Sequence, residues 1–362
     1  MRVLFVNWRD TSNPEAGGAE NFTEEIGRRL AGLGHPVTIF ASAFNGCEAV
    51  SSRFGMTVIR DGGKYTVYSK ARDFVKHHAD EFDVIIDEIN TVPFQIQKLN
   101  QKNPVVALIH QLAREVWFYE TRFPLSALGY YVLEPWWLRG YRDVCTVTVS
   151  SSTREDLTNI GFSNVHTVHN GIGTVPLEEP PEKESTPIIV FLGRLVRCKL
   201  PDHAIQSFQI IRESFPNAEL WILGDGYLRK KLESKRASAV RFLGRVSDSE
   251  KFAVLRKADL LLVPSVREGW GVSVIEANAM GTPAIGYAVP GLKDSIVQGV
   301  TGALVRPFDY VAMAEAAKML IGDQGKMEKM SRNCLDWARK FSWDDAASEF
   351  QKVLESRIGP IA

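Results

Sequence analysis

The sequence predicts two α/β domains in tandem, each built on a doubly wound parallel sheet. Three observations carry this. Short apolar runs without alternation recur along the chain, the pattern of strands buried on both faces. Helical stretches separate them. The series stops once, at a Pro- and Glu-rich segment without periodicity, 174–187 (TVPLEEPPEKESTP), and then restarts.

The elements follow in order. Residues 3–7 read as a buried strand, followed by a glycine-bearing loop and an amphipathic helix at about 19–33. Strand-like runs follow at 37–41, 56–60, 84–89, 105–110 and 146–150. After the Pro-rich segment come 188–192, 219–223, 240–243, 260–264 and 284–287, with helices between. The chain of 362 residues is ample for two domains, expected at 1–172 and 188–342, with a linker at 173–187 and a closing helix at 343–362. Ligands of doubly wound sheets bind at the carboxyl ends of the strands, where strand order reverses.

Composition narrows the function. Lys plus Arg equal Asp plus Glu at 43 each, which argues against a protein held on nucleic acid by charge. Cys47, Cys145, Cys198 and Cys334 are scattered, with no Cys-x-x-Cys pair, so neither a disulfide framework nor a zinc site is expected. The opening MRVLFVNWRD does not read as a signal peptide, so none is expected, and no run approaches the roughly 20 apolar residues of a membrane span. A cytoplasmic protein is expected, resting at most on a membrane face.

The chemistry-bearing residues cluster in the second half. In 267–281 (REGWGVSVIEANAMG), Gly269 and Gly271 flank Trp270 just before a helical run. Glycines there let backbone N–H groups approach a ligand, and a helix N-terminus favours an anion. Glu276 lies inside that apolar helix, where a carboxylate needs a hydrogen-bonding partner; a ribose diol fits, and so does a plain surface role. Upstream, Arg194 ends a strand in FLGRL and Lys199 follows: a guanidinium fork and a point charge suited to a diphosphate, or a solvated surface pair.

Taken in order, these pieces resemble the retaining GT-B glycosyltransferases of family 4, the group 1 glycosyl transferases. The resemblance rests on GGAE (17–20), VHNGI (168–172), GRLVRCK (193–199), ILGDG (222–226), FLGRVSDSEK (242–251), PSVREGWGVSVIEA (264–277) and GTPAIGYAVPG (281–291). Glu268 and Glu276 stand in the family's Glu-x7-Glu spacing, and the likeness continues to FSWDDAA near the end. It implies two Rossmann-like domains facing a central cleft, with the last helix crossing back to the first domain. It also implies sugar transfer from a nucleotide-diphosphate sugar to a lipid-linked, glycan or small-molecule acceptor.

The resemblance also implies roles. Arg194 and Lys199 hold the diphosphate, Glu268 contacts the donor sugar, and Glu276 takes the ribose hydroxyls. Gly269, Trp270, Gly271 and Val272 offer backbone N–H groups, with Gly224 in a neighbouring loop. Arg245 and Val246 meet the base, Gly17 and Gly18 close on the donor, and His110 faces the transferred sugar. Two residues depart from the pattern: Leu200 replaces the glycine that often follows the motif lysine, and Trp270 replaces a phenylalanine. No Asp-x-Asp stands near a sugar-binding loop, so no metal or other cofactor is expected.

Other features admit plainer readings. His166 and His169 are spaced H-x-x-H without a carboxylate to complete a metal site. A GT-B epimerase or phosphorylase is an alternative, but its carboxylate–histidine set or cofactor lysine is not matched. A silent sugar-nucleotide-binding module should lack some of Arg194, Lys199, Glu268 and His110. Finally, 114–142 interleaves Trp117, Phe118, Tyr119, Phe123, Tyr130, Tyr131, Trp136, Trp137 and Tyr141 with Arg114, Arg122, Arg139 and Arg142. Such a stretch suits either a membrane interface beside the acceptor or the first domain's core.

Overall fold

The computed structural model describes residues 1–99, 102–234 and 238–358. The chain divides into two compact units, the first comprising Met1–Arg114, Ala127–Gly171 and Ser342–Ala362. The last four residues of the expected closing segment, 359–362, lie outside the described residues.

The first unit carries β1 (Val3–Val6), β2 (Val37–Ala41), β3 (Val50–Arg53), β4 (Met56–Arg60), β5 (Val84–Glu88), β6 (Val105–Ile109), β7 (Cys145–Thr148) and β8 (Val165–Thr167). Their order is β3-β4-β2-β1-β5-β6-β7-β8, parallel throughout except for the antiparallel β3–β4 pair. Order reverses between β1 and β5, which makes that boundary the switch point. Every residue of β1 and β5 is buried, because helices cover both faces of the sheet. The helix Gly18–Gly32 packs against the closing helix Trp343–Ile358. Phe22 meets Trp343 and Phe350 edge-on, at 5.8 and 6.0 Å between ring centroids.

The second unit comprises Glu115–Ser126 and Ile172–Phe341. Its strands are β9 (Ile188–Leu192), β10 (Glu219–Leu223), β11 (Val240–Gly244), β12 (Leu260–Val263), β13 (Ala284–Tyr287) and β14 (Gly302–Val305), all parallel in the order β11-β10-β9-β12-β13-β14. The switch point lies between β9 and β12.

Two segments differ from their sequence assignment. Residues 115–126, expected in the first domain, join the second unit. Glu115 pairs with Arg267 at 3.0 Å, Glu120 accepts from the Cys198 N–H (2.8 Å) and the Tyr227 hydroxyl (2.7 Å), and Tyr119 stacks on Phe308. The expected solvated linker is docked on the second unit instead. The Leu177 N–H donates to the Ala279 carbonyl (2.9 Å), and the Lys183 ammonium donates to the carbonyls of Arg256 (3.0 Å) and Ala258 (2.5 Å). A lysine head that finds carbonyl acceptors need not stay in water.

Candidate functional site

The carboxyl ends of β9, β10 and β11 are stitched by their glycine loops. The Gly193 N–H donates to the Leu223 carbonyl (3.0 Å), Leu195 N–H to Asp225 (2.9 Å) and Gly224 N–H to Gly244 (2.7 Å). Gly224 sits at φ +125°, and a Cβ there would lie 2.0 Å from the Gly193 carbonyl oxygen, so only glycine fits. These contacts fix where Arg194 leaves β9. Arg194 is exposed, and no carboxylate pairs with it among the described residues. Arg245, also exposed, and half-buried Val246 follow the end of β11.

Lys199 lies in the 3-10 turn Arg197–Lys199, which passes to the helix Pro201–Ser214 through Leu200. Leu200 adopts φ +48°, ψ +49°, the left-handed region. This is why a glycine is at home there, and why leucine carries a cost of about 1–2 kcal/mol. Leucine offsets that cost by burying its side chain, which is 7% exposed.

Across the switch point, the loop after β12 brings Glu268 to Lys199. The Lys199 ammonium and the Ser265 hydroxyl (2.6 Å) both bond Glu268 Oε1. The Glu268 backbone is clamped in turn: its N–H donates to the Pro290 carbonyl (3.2 Å), and Gly291 at φ +80° packs so closely that a Cβ would lie 2.3 Å from the Glu268 carbonyl oxygen. The helix Val272–Ala279 starts from Gly271 at φ +87°, and no side chain caps its N-terminus. Gly269 is half-buried beside this turn. Trp270 is buried and meets Phe341 edge-on at 5.1 Å, so the larger ring fills core.

Glu276 stands apart from this cluster. Its Oε1 accepts from the Lys251 ammonium at 2.6 Å, and Lys251 also reaches Asp248 at 2.8 Å. Burial pushes the Glu276 carboxyl up, and Lys251 pulls it back. Lys251 closes the FLGRVSDSEK motif and is the partner that Glu276 required. Sequence reasoning missed Lys251, Ser265 and Glu120, because each meets its partner only through the fold.

In the first unit, His110 follows β6. Its ring stands edge-on to Phe22 at 5.2 Å, its Nε2 is buried without a partner among the described residues, and burial pushes its pKa down to about 4. Gly17 and Gly18 are exposed at the start of the helix Gly18–Gly32. The Gly17 N–H donates to Glu20 Oε2 (2.7 Å), and Glu20 is buried against Arg9 (3.0 Å). His166 and His169 bond Asn164 and the Val149 carbonyl, and no group of metal-ligating side chains forms among the described residues.

The aromatic segment divides. Tyr141 is fully buried, its hydroxyl bonded to Asp87 (2.5 Å), and Leu138 is core. On the other side Tyr131 and Trp136 are 69% and 60% exposed, with the Lys98 ammonium 5.6 Å above the Trp136 ring. No described helix is long and apolar enough to cross a membrane.

Two doubly wound units, with an Arg and a Lys at the switch point of the second, match what the GT-B resemblance implies. Similarity to known proteins refines this. Residues 16–175 match the Glycosyltransferase Family 4 model, and residues 177–337 match Glycosyl transferases group 1. The chain belongs to this family.

Among curated relatives, D-inositol 3-phosphate glycosyltransferase of Corynebacterium aurimucosum is 31% identical over 179 residues, which is 46% of this chain and 42% of that protein. The chain thus spans less than half the length of this relative. Among solved structures, sucrose-phosphate synthase from Thermosynechococcus elongatus superposes with a TM-score of 0.79 over 97% of each chain, at 20% identity. Anabaena HepE in complex with UDP and glucose superposes with a TM-score of 0.71 over 98% of this chain and 100% of its own, at 16% identity.

Proposed function

We propose that the protein moves a hexose-type sugar from a nucleoside diphosphate sugar to a hydroxyl of a lipid-linked acceptor, with retention of configuration and without a bound metal. The observation that carries this is the meeting of Lys199, Ser265 and Glu268 at the switch point that also holds Arg194, which no carboxylate pairs among the described residues. As the glycosidic bond breaks, negative charge grows on the diphosphate and positive charge on the sugar. Arg194, Lys199 and the uncapped N-terminus of Val272–Ala279 oppose the first charge. The pairing of Lys199 with Glu268 holds both ready: donor binding turns Lys199 to phosphate and leaves Glu268 for sugar hydroxyls.

Glu276 takes the ribose hydroxyls through its second oxygen, and Arg245 and Val246 face the base. In the first unit, Gly17, Gly18 and a neutral His110 are the candidate sugar-contacting residues. Attack from the face that the phosphate leaves, with a phosphate oxygen taking the acceptor's proton, gives retention. The UDP bound by HepE supports a nucleoside diphosphate donor.

A lipid-linked acceptor is supported by the exposed Leu128, Tyr131, Val132 and Trp136, flanked by exposed Arg139 and Arg142. Amphipathic rings beside arginines match an anionic headgroup layer.

The test is a panel of UDP-, ADP- and GDP-sugars incubated with chelator present. Hydrolysis or transfer with product of the donor's anomeric configuration, read by proton NMR, is expected. Arg194→Ala should cost about 100-fold in kcat. An inverted product overturns retention, and unchanged turnover in Arg194→Ala overturns the clamp. Tyr131→Ala with Trp136→Ala should abolish salt-sensitive sedimentation with phosphatidylglycerol vesicles; no vesicle binding by the unaltered chain overturns the membrane reading.

A further inference from the structure

Residues 115–126 form a strap within the second unit, and two of its carboxylates have no role in the reaction described above. Glu115 stands just before the helical turn Val116–Glu120, and Glu120 closes it. Each holds the residue next to one member of the Lys199–Glu268 pair. Glu120 Oε1 accepts from the Cys198 N–H at 2.8 Å, and Cys198 directly precedes Lys199. Glu115 Oε2 accepts from Arg267 Nε at 3.0 Å, and Arg267 directly precedes Glu268.

These two contacts close a ring. The Cys198 carbonyl accepts from the Val266 N–H (2.9 Å), which ties the 3-10 turn Arg197–Lys199 to the loop after β12. From Val266 the ring runs to Arg267, across to Glu115, along the strap to Glu120, and back to Cys198. Lys199 and Glu268 leave it from either side of the Cys198–Val266 bond and meet each other and Ser265. Tyr119 anchors the strap a third time, its ring within 5° of parallel to Phe308 at 6.2 Å.

The turn has a physical need for such a grip. It is short, so the N–H groups at its start find no acceptor inside it. The Arg197 N–H donates to the Tyr227 hydroxyl oxygen (2.9 Å), and that hydroxyl donates to Glu120 Oε2 (2.7 Å). Glu120 thus holds two successive residues of one turn, one directly and one through Tyr227. Gly226 delivers Tyr227 by packing so close to Leu195 that a Cβ would lie 2.4 Å from its carbonyl oxygen. The turn then exits through Leu200 in the left-handed region. A turn strained at its exit relaxes when the partners at its start are removed. On the other side, the Arg267 side chain is buried and favours an anion beside it, while Glu115 is half-exposed.

We propose that Glu115 and Glu120 are positioning residues for sugar transfer, setting Lys199 against Glu268 by holding Cys198 and Arg267. The proposal rests on the transferase reading above. Charge grows on the diphosphate as the glycosidic bond breaks, so a displaced Lys199 ammonium loses more in the transition state than in donor binding. Loss of the grip therefore lowers kcat and leaves KM for the donor nearly unchanged.

The experiment uses the full chain and the nucleoside diphosphate sugar that it turns over from the panel. Glu120→Ala should lower kcat about tenfold, with KM for the donor held within about twofold. Glu120→Gln should recover most of this, since its amide oxygen accepts from Cys198 and its amide nitrogen donates to the Tyr227 hydroxyl. Glu115→Ala should lower kcat about threefold, less because Glu115 is half-exposed. The background separates positioning from a merely structural strap. With Lys199→Ala already present, Glu120→Ala should change kcat by less than about twofold, because the group it acts through is gone. An equal loss in both backgrounds overturns the proposal. So does unchanged kcat in Glu120→Ala, or a Glu120→Gln variant that folds yet is as impaired as Glu120→Ala. Tyr227→Phe, on a residue 59% exposed, carries the test if Glu120→Ala does not fold. It should lower kcat about threefold with Lys199 present and not in Lys199→Ala, and unchanged kcat in both overturns the proposal. If the unaltered chain neither binds nor turns over any donor, the transferase reading fails and this proposal with it; turnover that Glu120→Ala leaves intact sinks the proposal alone.

Discussion

Replacing His110 by phenylalanine keeps a ring against Phe22 and removes one titratable group, so the pair of proteins isolates a linkage term. In the folded chain burial pushes His110 from its ordinary 6.5 down to about 4. A depressed value means the associated stability is fully present above 6.5 and is lost as pH falls toward 4, because the unfolded chain takes up the proton first. Each tenfold change in proton affinity is worth about 1.4 kcal/mol, so the whole gap amounts to about 3 kcal/mol. Between pH 8 and pH 5 the unaltered chain should lose about 2 kcal/mol of stability relative to His110→Phe. Urea unfolding of both proteins at pH 8, 6.5 and 5 reads this directly, because titrations common to both cancel in the difference. Proton NMR supplies the second reading: the imidazole signal missing from His110→Phe should move by no more than about a tenth of its full titration shift between pH 8 and 5. Parallel stability curves, or a His110 titration near 6.5, would refute the buried, neutral imidazole and with it the sugar-contacting role given to this residue.

Three further outcomes follow from the packing. Gly224→Ala should destabilise the chain by more than about 3 kcal/mol in urea unfolding, since a Cβ at φ +125° meets the Gly193 carbonyl at 2.0 Å. Gly193→Ala, which meets only the Phe191 ring at 3.8 Å, should fold normally. Leu200→Gly relieves a left-handed leucine worth about 1–2 kcal/mol but loses a buried side chain worth about 2–3 and adds unfolded-state freedom, so a thermal melt should show net destabilisation of about 1 kcal/mol. Arg60→Ala should cost about 3–5 kcal/mol in urea unfolding, because it leaves Asp10, bonded at 2.7 and 2.9 Å and 6% exposed, as a buried charge without its partner.

The sequence alone determined the two parallel sheets. The runs 37–41, 56–60, 188–192, 219–223 and 284–287 coincide with β2, β4, β9, β10 and β13. Apolar stretches bounded by turn residues have few alternatives once both faces are covered. It did not reveal β3, β8 or β14, whose residues are polar or only partly buried and whose pairing depends on the neighbour beside them. It supplied the residue types of the candidate site but not their partners. Lys199 meets Glu268 and Lys251 meets Glu276 only when the loops after separate strands converge. The aromatic segment was ambiguous for a local reason: the π-helical turn Gly129–Leu133 slips the helical stripe, so Tyr131 and Trp136 turn outward while Leu138 and Tyr141 turn inward. Tertiary structure alone decided that buried Glu88 accepts from Thr23 and Asn7, each at 2.7 Å, because parallel strand order sets β1 and β5 side by side across a long stretch of sequence, and no local pattern records which strand will be the neighbour.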